Sequence, residues 1–342
     1  MRSASVKDVA DRAGVAVGTV SHVLNHPERV SARTKEKVLR AIDELGFVRN
    51  DAARQLRAGR SRTIGLIMLD ATNPFFASLA RGAEDAAAVA GNSVVFASSR
   101  HDKERESRYI DLFEEQRVQG LLITPVGDLS ARVAELKTRG VSVVLVDREG
   151  DPALYSSVSV DDVHGGYLAA SHLLEQGRTR IAFVGGGRHL QQVADRLRGA
   201  EKAIAEHPGV SLEFLPTEEL DVLAGRSVGD ALVQRPRHLL PDGIFCANDL
   251  LATGVMQSVL LLNSLRIPED VALIGYDDIA FARSAVVPLS SIRQPAEEIG
   301  RTAIRLLAQE LENPSGAREH VVFNPELVVR ASTSTLTPAA LP

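Results

Sequence analysis

The sequence predicts two unlike parts. One is a small all-α head carrying a helix-turn-helix; the other is a long α/β core of two doubly wound parallel-sheet lobes. Three observations predict this. Residues 1–62 carry 13 Lys and Arg against 7 Asp and Glu, whereas the rest carries 26 against 37. Residues 5–46 hold three short stretches with apolar residues at helical spacing. From residue 62 onward, apolar runs alternate with helical stretches, as in parallel sheets covered on both faces.

In the head, Ser5 is placed to cap a first helix, and Val6, Val9, Ala10 and Ala13 fall at i, i+3, i+4 and i+7 along one face. Gly14 then permits a sharp turn. A second helix, from about Val17 to Asn25, turns Val20, Val23 and Leu24 inward. A third opens at Ser31 and sets Val38, Leu39, Ile42 and Leu45 on one side. It stops at Gly46, which suits a left-handed C-terminal position. Two helices joined by a tight Gly turn, with a third in support, make a helix-turn-helix. The outer face of the second helix keeps Val17, Gly18, Ser21, His22 and Asn25. Hydroxyls and amides there can hold phosphates, and Val17, Gly18 and His22 can approach base edges in a major groove. A three-helix packing module without a ligand is the alternative. The basic balance and polar outer face favour DNA.

The stretch RNDAARQLRAG (49–59) suggests a helix from Asn50 to about Ala58. Isolated helices of two turns are marginal in water, and Leu56 has no apolar neighbours to fold against, so the segment needs a partner. A frayed linker is the alternative. The expected organisation is a head over 1–47, a hinge or linker over 48–61 and a core over 62–342.

The core opens with the strand TIGLIML (63–69) and a helix in PFFASLARGAEDAAAVA. SVVFASS, a charged helix from Asp102 to Arg117, GLLITPV, a helix near 129–139 and SVVLVD (142–147) follow. After a break come SVSVDD, a helix over 163–176, RIAFVGG (180–186), a helix near 190–206, GIFCAND (243–249), a helix over 250–263 and VALIGYDD (271–278). Residues 290–340 add one helix (296–312) between short extended pieces. So many strands fit two sheets, with the chain crossing between lobes. The first lobe is expected over about 62–160 and 291–320, the second over about 161–290 and 321–335.

Open parallel sheets bind ligands at the carboxyl ends of their strands. Here those ends carry DATNPFF, Asp147–Arg148, Asn248–Asp249 and Asp277–Asp278. Aromatic rings stack on the apolar face of a sugar while carboxylates, amides and an Arg take its hydroxyls, so the set suits a small polyhydroxylated ligand. Any one of these Asp or Asn residues could instead cap the next helix. Catalytic motifs are lacking: Gly185–Gly186–Gly187 does not complete GxGxxG, because position 190 is Leu, and no GxxxxGK[ST], HExxH or GxSxG occurs. The expectation is a binding protein rather than an enzyme, with no cofactor and no metal. The single Cys246, in the apolar run GIFCA, reads as a buried inert thiol. No apolar stretch is long enough for a membrane span, and the N-terminus lacks a signal-peptide core, which points to the cytoplasm.

The stretch VKDVADRAGVAVGTVSHVLNHPERVSARTKEKVLRAIDELGFVRNDAARQLRAG resembles the N-terminal domain of the LacI/GalR family of bacterial transcription regulators. TIGLIMLDATNPFFASLARGAEDAA, VSVDDVHGGYLAASHLLEQGRTRIAFVGG, DGIFCANDLLATGVM, ALIGYDD and LSSIRQPAEEIGRTA carry the resemblance through the core, whose fold in that family is periplasmic-binding-protein-like. The resemblance implies that Val17, Gly18 and His22 touch bases, and that Thr19, Ser21, Asn25, Ser31 and Thr34 hold phosphates. It also implies that a hinge helix containing Ala53 and Leu56 forms on DNA, Leu56 wedging into the minor groove. Ala16 stands where the family usually has a capping Ser or Thr. The effector would meet Asn73, Phe75, Phe76, Asp147 and Arg148 from the first lobe, Gln192, Arg196, Asn248 and Asp277 from the second, and Gln294 in a crossover. Arg196 could fork two bonds to adjacent hydroxyls or a carboxylate. Near Leu220 many relatives carry an aromatic. Arg148 stands where the purine-responsive branch has an indole, so a sugar or sugar derivative is the expected effector and a purine or nucleoside the alternative. The implied protein is a dimeric, effector-controlled repressor of a near-palindromic DNA operator, with first-lobe dimer contacts that include the helix starting at Pro74. An exported solute-binding protein and a sugar-modifying enzyme are the readings from other classes.

Overall fold

The computed structural model describes residues 4–47, 61–151, 153–261 and 265–334. The expected hinge helix, with Ala53 and Leu56, lies outside the described residues. The chain divides into two compact units, Met1–Ser61 and Arg62–Pro342.

The first unit contains α1 (Val6–Ala13), α2 (Val17–Asn25) and α3 (Ala32–Leu45). Ser5 and Asp8 form a reciprocal capping box at the start of α1: the Ser5 hydroxyl accepts from Asp8 N at 3.2 Å and the Asp8 carboxylate accepts from Ser5 N at 2.7 Å. Gly14 closes α1 at φ +64° and Gly46 closes α3 at φ +56°, the left-handed conformation that glycine adopts without strain. Val9, Val20 and Val38 are fully buried at the centre, with Ala10, Val23, Ala41 and Phe47 around them. Leu39, expected inside, is instead exposed. The inward stripe of α3 runs through 38, 41, 42 and 45, and residue 39 lies about 100° further round the helix.

The second unit holds two sheets of six strands each. The first has the order β11-β5-β4-β3-β1-β2, formed by β1 (Thr63–Met68), β2 (Ser93–Ser98), β3 (Gly120–Ile123), β4 (Ser142–Val146), β5 (Ser156–Val160) and β11 (His320–Phe323), all parallel. The second has the order β12-β10-β9-β8-β6-β7, formed by β6 (Arg180–Gly185), β7 (Ser211–Pro216), β8 (Gly243–Cys246), β9 (Ala272–Asp277), β10 (Ser290–Arg293) and β12 (Glu326–Val328). Only the edge strand β12 runs antiparallel, against β10. Helices cover both faces: α4 (Pro74–Val89), α5 (Lys103–Glu115), α6 (Ser130–Thr138) and α12 (Ala296–Glu312) in the first lobe, and α7 (Asp162–Glu175), α8 (Gln191–Ala205), α9 (Val222–Val233), α10 (Asp249–Leu261) and α11 (Ala280–Ser284) in the second. The central strands are apolar and buried on both faces, as parallel sheets require.

Three helix pairs cross with their backbones in contact, each through one glycine per helix. A Cβ at Gly82 or Gly300 would overlap backbone of the opposite helix in the α4–α12 pair. The same holds for Gly166 and Gly199 between α7 and α8, and for Gly225 and Gly254 between α9 and α10. These pairs fix where α4 and α8, both of which feed the cleft, sit on their sheets.

The chain passes between lobes three times: from β5 to α7, from β10 to α12 and from β11 to β12. The last two passages fall after Arg293 and after Phe323, slightly later than the expected breaks at 291 and 321, because β10 pairs with β9 and β11 with β5. The strands left at these passages, β5, β10 and β11, lie toward the same edge of each sheet, opposite β2 and β7, although after the first passage the chain runs on through α7 to β6, beside β7.

Candidate functional site

Two surfaces gather the residues singled out from the sequence. On α2, Val17, Gly18, His22 and Asn25 are exposed, above buried Val20 and Val23. Val17 is 46% exposed. Thr19, Ser21 and Thr34 are half-buried beside this face, and Ser31 is exposed. Asn25 Nδ2 donates to Ser21 O at 2.9 Å, and the Ser31 hydroxyl accepts from Thr34 N at 3.3 Å as the cap of α3. Ala16, the N-cap of α2, makes no side-chain cap bond, unlike Ser5 and Ser31.

The second surface is a cleft between the lobes of the core, lined by residues of both. It lies at the carboxyl ends of the strands where the order of each sheet reverses. The first lobe contributes Asn73, Phe75, Phe76 and Asp147. Asn73 caps α4, accepting from Phe75 N at 3.0 Å, which turns the adjacent Phe75 and Phe76 into the wall with ring centroids 5.1 Å apart. The second lobe contributes Gln192 and Arg196 one turn apart on α8, Asn248 at the start of α10 and Asp277 at the end of β9.

The polar groups are hydrogen-bonded in several separate sets. Asp277 accepts from Asn73 Nδ2 at 2.9 Å and from Gln294 Nε2 at 2.7 Å. Gln192 Nε2 donates to the backbone O and the carboxylate of Asp147, at 2.9 and 3.1 Å. Arg196 donates from Nε to Asp162 at 2.8 Å and from Nη1 to Ala247 O at 2.7 Å, and its guanidinium stacks 3.7 Å from the Tyr276 ring centroid. Asn248 accepts from Leu251 N and donates to Leu220 O, both at 2.8 Å. Asp147 and Asp277 sit at φ +57° and +104°, where non-glycine residues are uncommon and backbone strain is stored at functional sites. Burial raises both carboxyls, Asp147 to about 8 and Asp277 to about 6; the charge of Asp162 adds to the rise at Asp147.

Eight of the ten predicted cleft residues line this space. Arg148 does not: its Nη1 donates to Gly127 O at 2.9 Å and it lines a neighbouring groove beside Asp161 and Asp195. Gln294 stands behind Asp277 rather than in the wall. The fork expected of Arg196 is already half engaged by Asp162 and Ala247. Sequence reasoning missed His101, Leu190 and Val193 in the wall and the Asp162 counterion behind it. His101 follows β2, so the strand-end rule that reached DATNPFF could have found it; nothing in the sequence pairs Asp162 with Arg196. Among the described residues, no cluster of three or more His, Cys, Asp or Glu side chains is arranged to hold a metal ion, and no helix is long and apolar enough to cross a membrane.

Comparison with known proteins places both surfaces in one lineage. Residues 5–50 match the family of bacterial regulatory proteins named for lacI, and residues 170–333 match a periplasmic binding protein-like domain. The chain is 32% identical over 338 residues to the HTH-type transcriptional repressor PurR of Aliivibrio fischeri, with 97% of this chain and 98% of that protein covered. It is also similar to the lac repressor dimer bound to operator and the anti-inducer ONPF, with a TM-score of 0.81, 26% identity, and 97% and 99% of the two chains covered. A LacI family transcriptional regulator from Enterococcus faecium with bound ribose matches with a TM-score of 0.72 and 28% identity, covering 80% of this chain and all of that one. The chain therefore belongs to the LacI family of bacterial regulatory proteins, as a helix-turn-helix transcriptional regulator with an effector-binding core.

Proposed function

We propose that the chain works as a cytoplasmic homodimeric repressor whose head (1–47) reads a near-palindromic operator through the outer face of α2. A hinge (48–61) joins it to a core that binds a sugar or sugar derivative and does no catalysis. The observation that carries this reading is the pair of polar links between lobes, Asn73–Asp277 and Gln192–Asp147. A ligand lodged there competes with or reinforces those links. Its occupancy then biases the angle between lobes, provided that it binds the two arrangements unequally. The Phe75 and Phe76 rings beside carboxylates and amides suit a sugar, and the ribose-bound relative supports that class. The operator-bound dimeric relative supports the DNA and assembly parts of the reading.

Selection of binding sites from a random DNA pool with the full chain tests it. A two-fold symmetric sequence should be enriched. His22→Ala should relax the preference at one base pair of each half-site, and Leu56→Ala should weaken operator binding more than roughly tenfold. Failure to enrich any sequence would count against the operator reading. A second reading, a purine or nucleoside effector, is favoured by the 32% identity to a relative named PurR. Thermal denaturation with free sugars, nucleobases and nucleosides separates the two, because a ligand of the native state raises the melting temperature.

A further inference from the structure

The cleft also carries information about the charge of its ligand. Among the described residues Arg196 is the one Lys or Arg side chain in the wall, and its Nε and Nη1 are held by Asp162 and Ala247 O, with Asp277 3.9 Å from Nη1. A two-pronged grip on a phosphate or carboxylate needs an unoccupied fork of N–H groups. Against that one guanidinium stand Asp70 and Asp277 in the wall and Asp162 behind it. His101 does not redress the balance, because burial lowers its pKa below the ordinary value and leaves it neutral. The amides of Asn73 and Asn248 are engaged by helix starts on one side and by Asp277 and Leu220 O on the other.

Two wall atoms are left without a partner among the described residues, His101 Nδ1 and Asp147 Oδ1, and the second is the stronger acceptor. Asp147 Oδ1 is buried and has no hydrogen-bond partner among the described residues, although Oδ2 accepts from Gln192. A buried oxygen in that state is costly, and a hydroxyl or N–H from a ligand relieves the cost. A phosphate or carboxylate oxygen in the same place offers no hydrogen and adds negative charge to a site where Asp70, Asp277 and Asp162 outnumber Arg196. We propose, building on the effector-cleft reading above, that the cleft accepts only non-anionic ligands, one hydroxyl or amine of which donates to Asp147 Oδ1, and rejects phosphorylated and carboxylated ones. Burial otherwise drives Asp147 toward its protonated form, with a pKa of about 8, so the ligand's donor is what lets it stay ionised.

The test uses the full chain, with calorimetry and thermal denaturation at fixed ionic strength, against matched probes: ribose and ribose 5-phosphate, glucose and glucose 6-phosphate, glucosamine and glucuronate, adenosine and its 5′-monophosphate. In every pair that binds, the non-anionic member should be tighter by roughly 100-fold or more. Asp147→Asn keeps the shape, and Asn tolerates the left-handed backbone at this position. It should weaken the non-anionic member by roughly tenfold and narrow the gap to its anionic partner. A phosphorylated or carboxylated probe that binds as tightly as its parent overturns the charge inference and leaves the effector cleft standing. A panel in which no probe moves the melting temperature overturns both.

Discussion

The two lobes share a strand order, yet they hold their cleft residues in different ways. The second lobe seats its one cleft guanidinium internally: Arg196 is paired with Asp162, leans on Tyr276 and donates to Ala247 O, all within that lobe. The first lobe supplies aromatic faces and several polar groups, two of which find partners across the gap, Asn73 on Asp277 and Asp147 on Gln192. Arg196 is thus seated before the ligand arrives, whereas Asn73, Asp147 and their partners depend on where the lobes meet. Damage to the second wall should unfold its lobe, and damage to the first should chiefly alter closure and ligand affinity.

The largest test of this contrast is Arg196→Ala. Removing one partner of a buried ion pair leaves the other uncompensated, at about 3–5 kcal/mol, so denaturant unfolding should show a loss of that size together with loss of the effector response. A change below about 1 kcal/mol would mean that the second wall is not held by its own charges. Next come the helix crossings. Gly199→Ala in the second lobe and Gly300→Ala in the first would each push a methyl into opposing backbone, at about 1–3 kcal/mol by overpacking. Similar losses in both would show that the scaffolds are equivalent and that the lobes differ only in the cleft. Asn73→Ala should be milder, about 0.5–2 kcal/mol for the lost cap, with a disproportionate fall in ligand affinity in calorimetry. If Asn73→Ala unfolds the core as badly as Arg196→Ala does, the contrast between the walls fails.

The smallest expected effect is on pH. Burial raises Asp147 to about 8 and Asp277 to about 6. A carboxyl that holds its proton more tightly in the native state adds stability at low pH, and that stability is lost as pH rises through the native value. The core's melting temperature should therefore drift upward as pH falls from about 8 to 6, and Asp147→Asn should flatten the drift. An unchanged slope in that variant would move the cause elsewhere.

Much of this was legible in the sequence, for identifiable reasons. The central strands, such as TIGLIM and ALIGYD, are buried almost throughout, so their apolar runs stand out. β7 and α9 went unread. β7 is an edge strand with partly exposed residues, and its sequence SLEFLP carries no continuous apolar run. Strand ends located Asp147, Asn248 and Asp277, and the match to a known family located Gln192 and Arg196. What could not be read was pairing at a distance. Asp162 and Arg196 meet because Gly166 and Gly199 let α7 and α8 touch, and Arg148 leaves the cleft because Gly127 O receives it. Such partners depend on side-chain direction, which residue type and spacing leave open.

The three chain passages, which leave strands toward one edge of each sheet, act as the spine of a book whose covers are the lobes. Opening such a book barely shifts what lies near the binding and swings the outer margins widely. Gln294 sits in the binding, whereas His101 after β2 and Leu220 after β7 sit at the margins. Ligands that differ in length should therefore be told apart at the margin, where a small turn of the covers becomes a large change in reach.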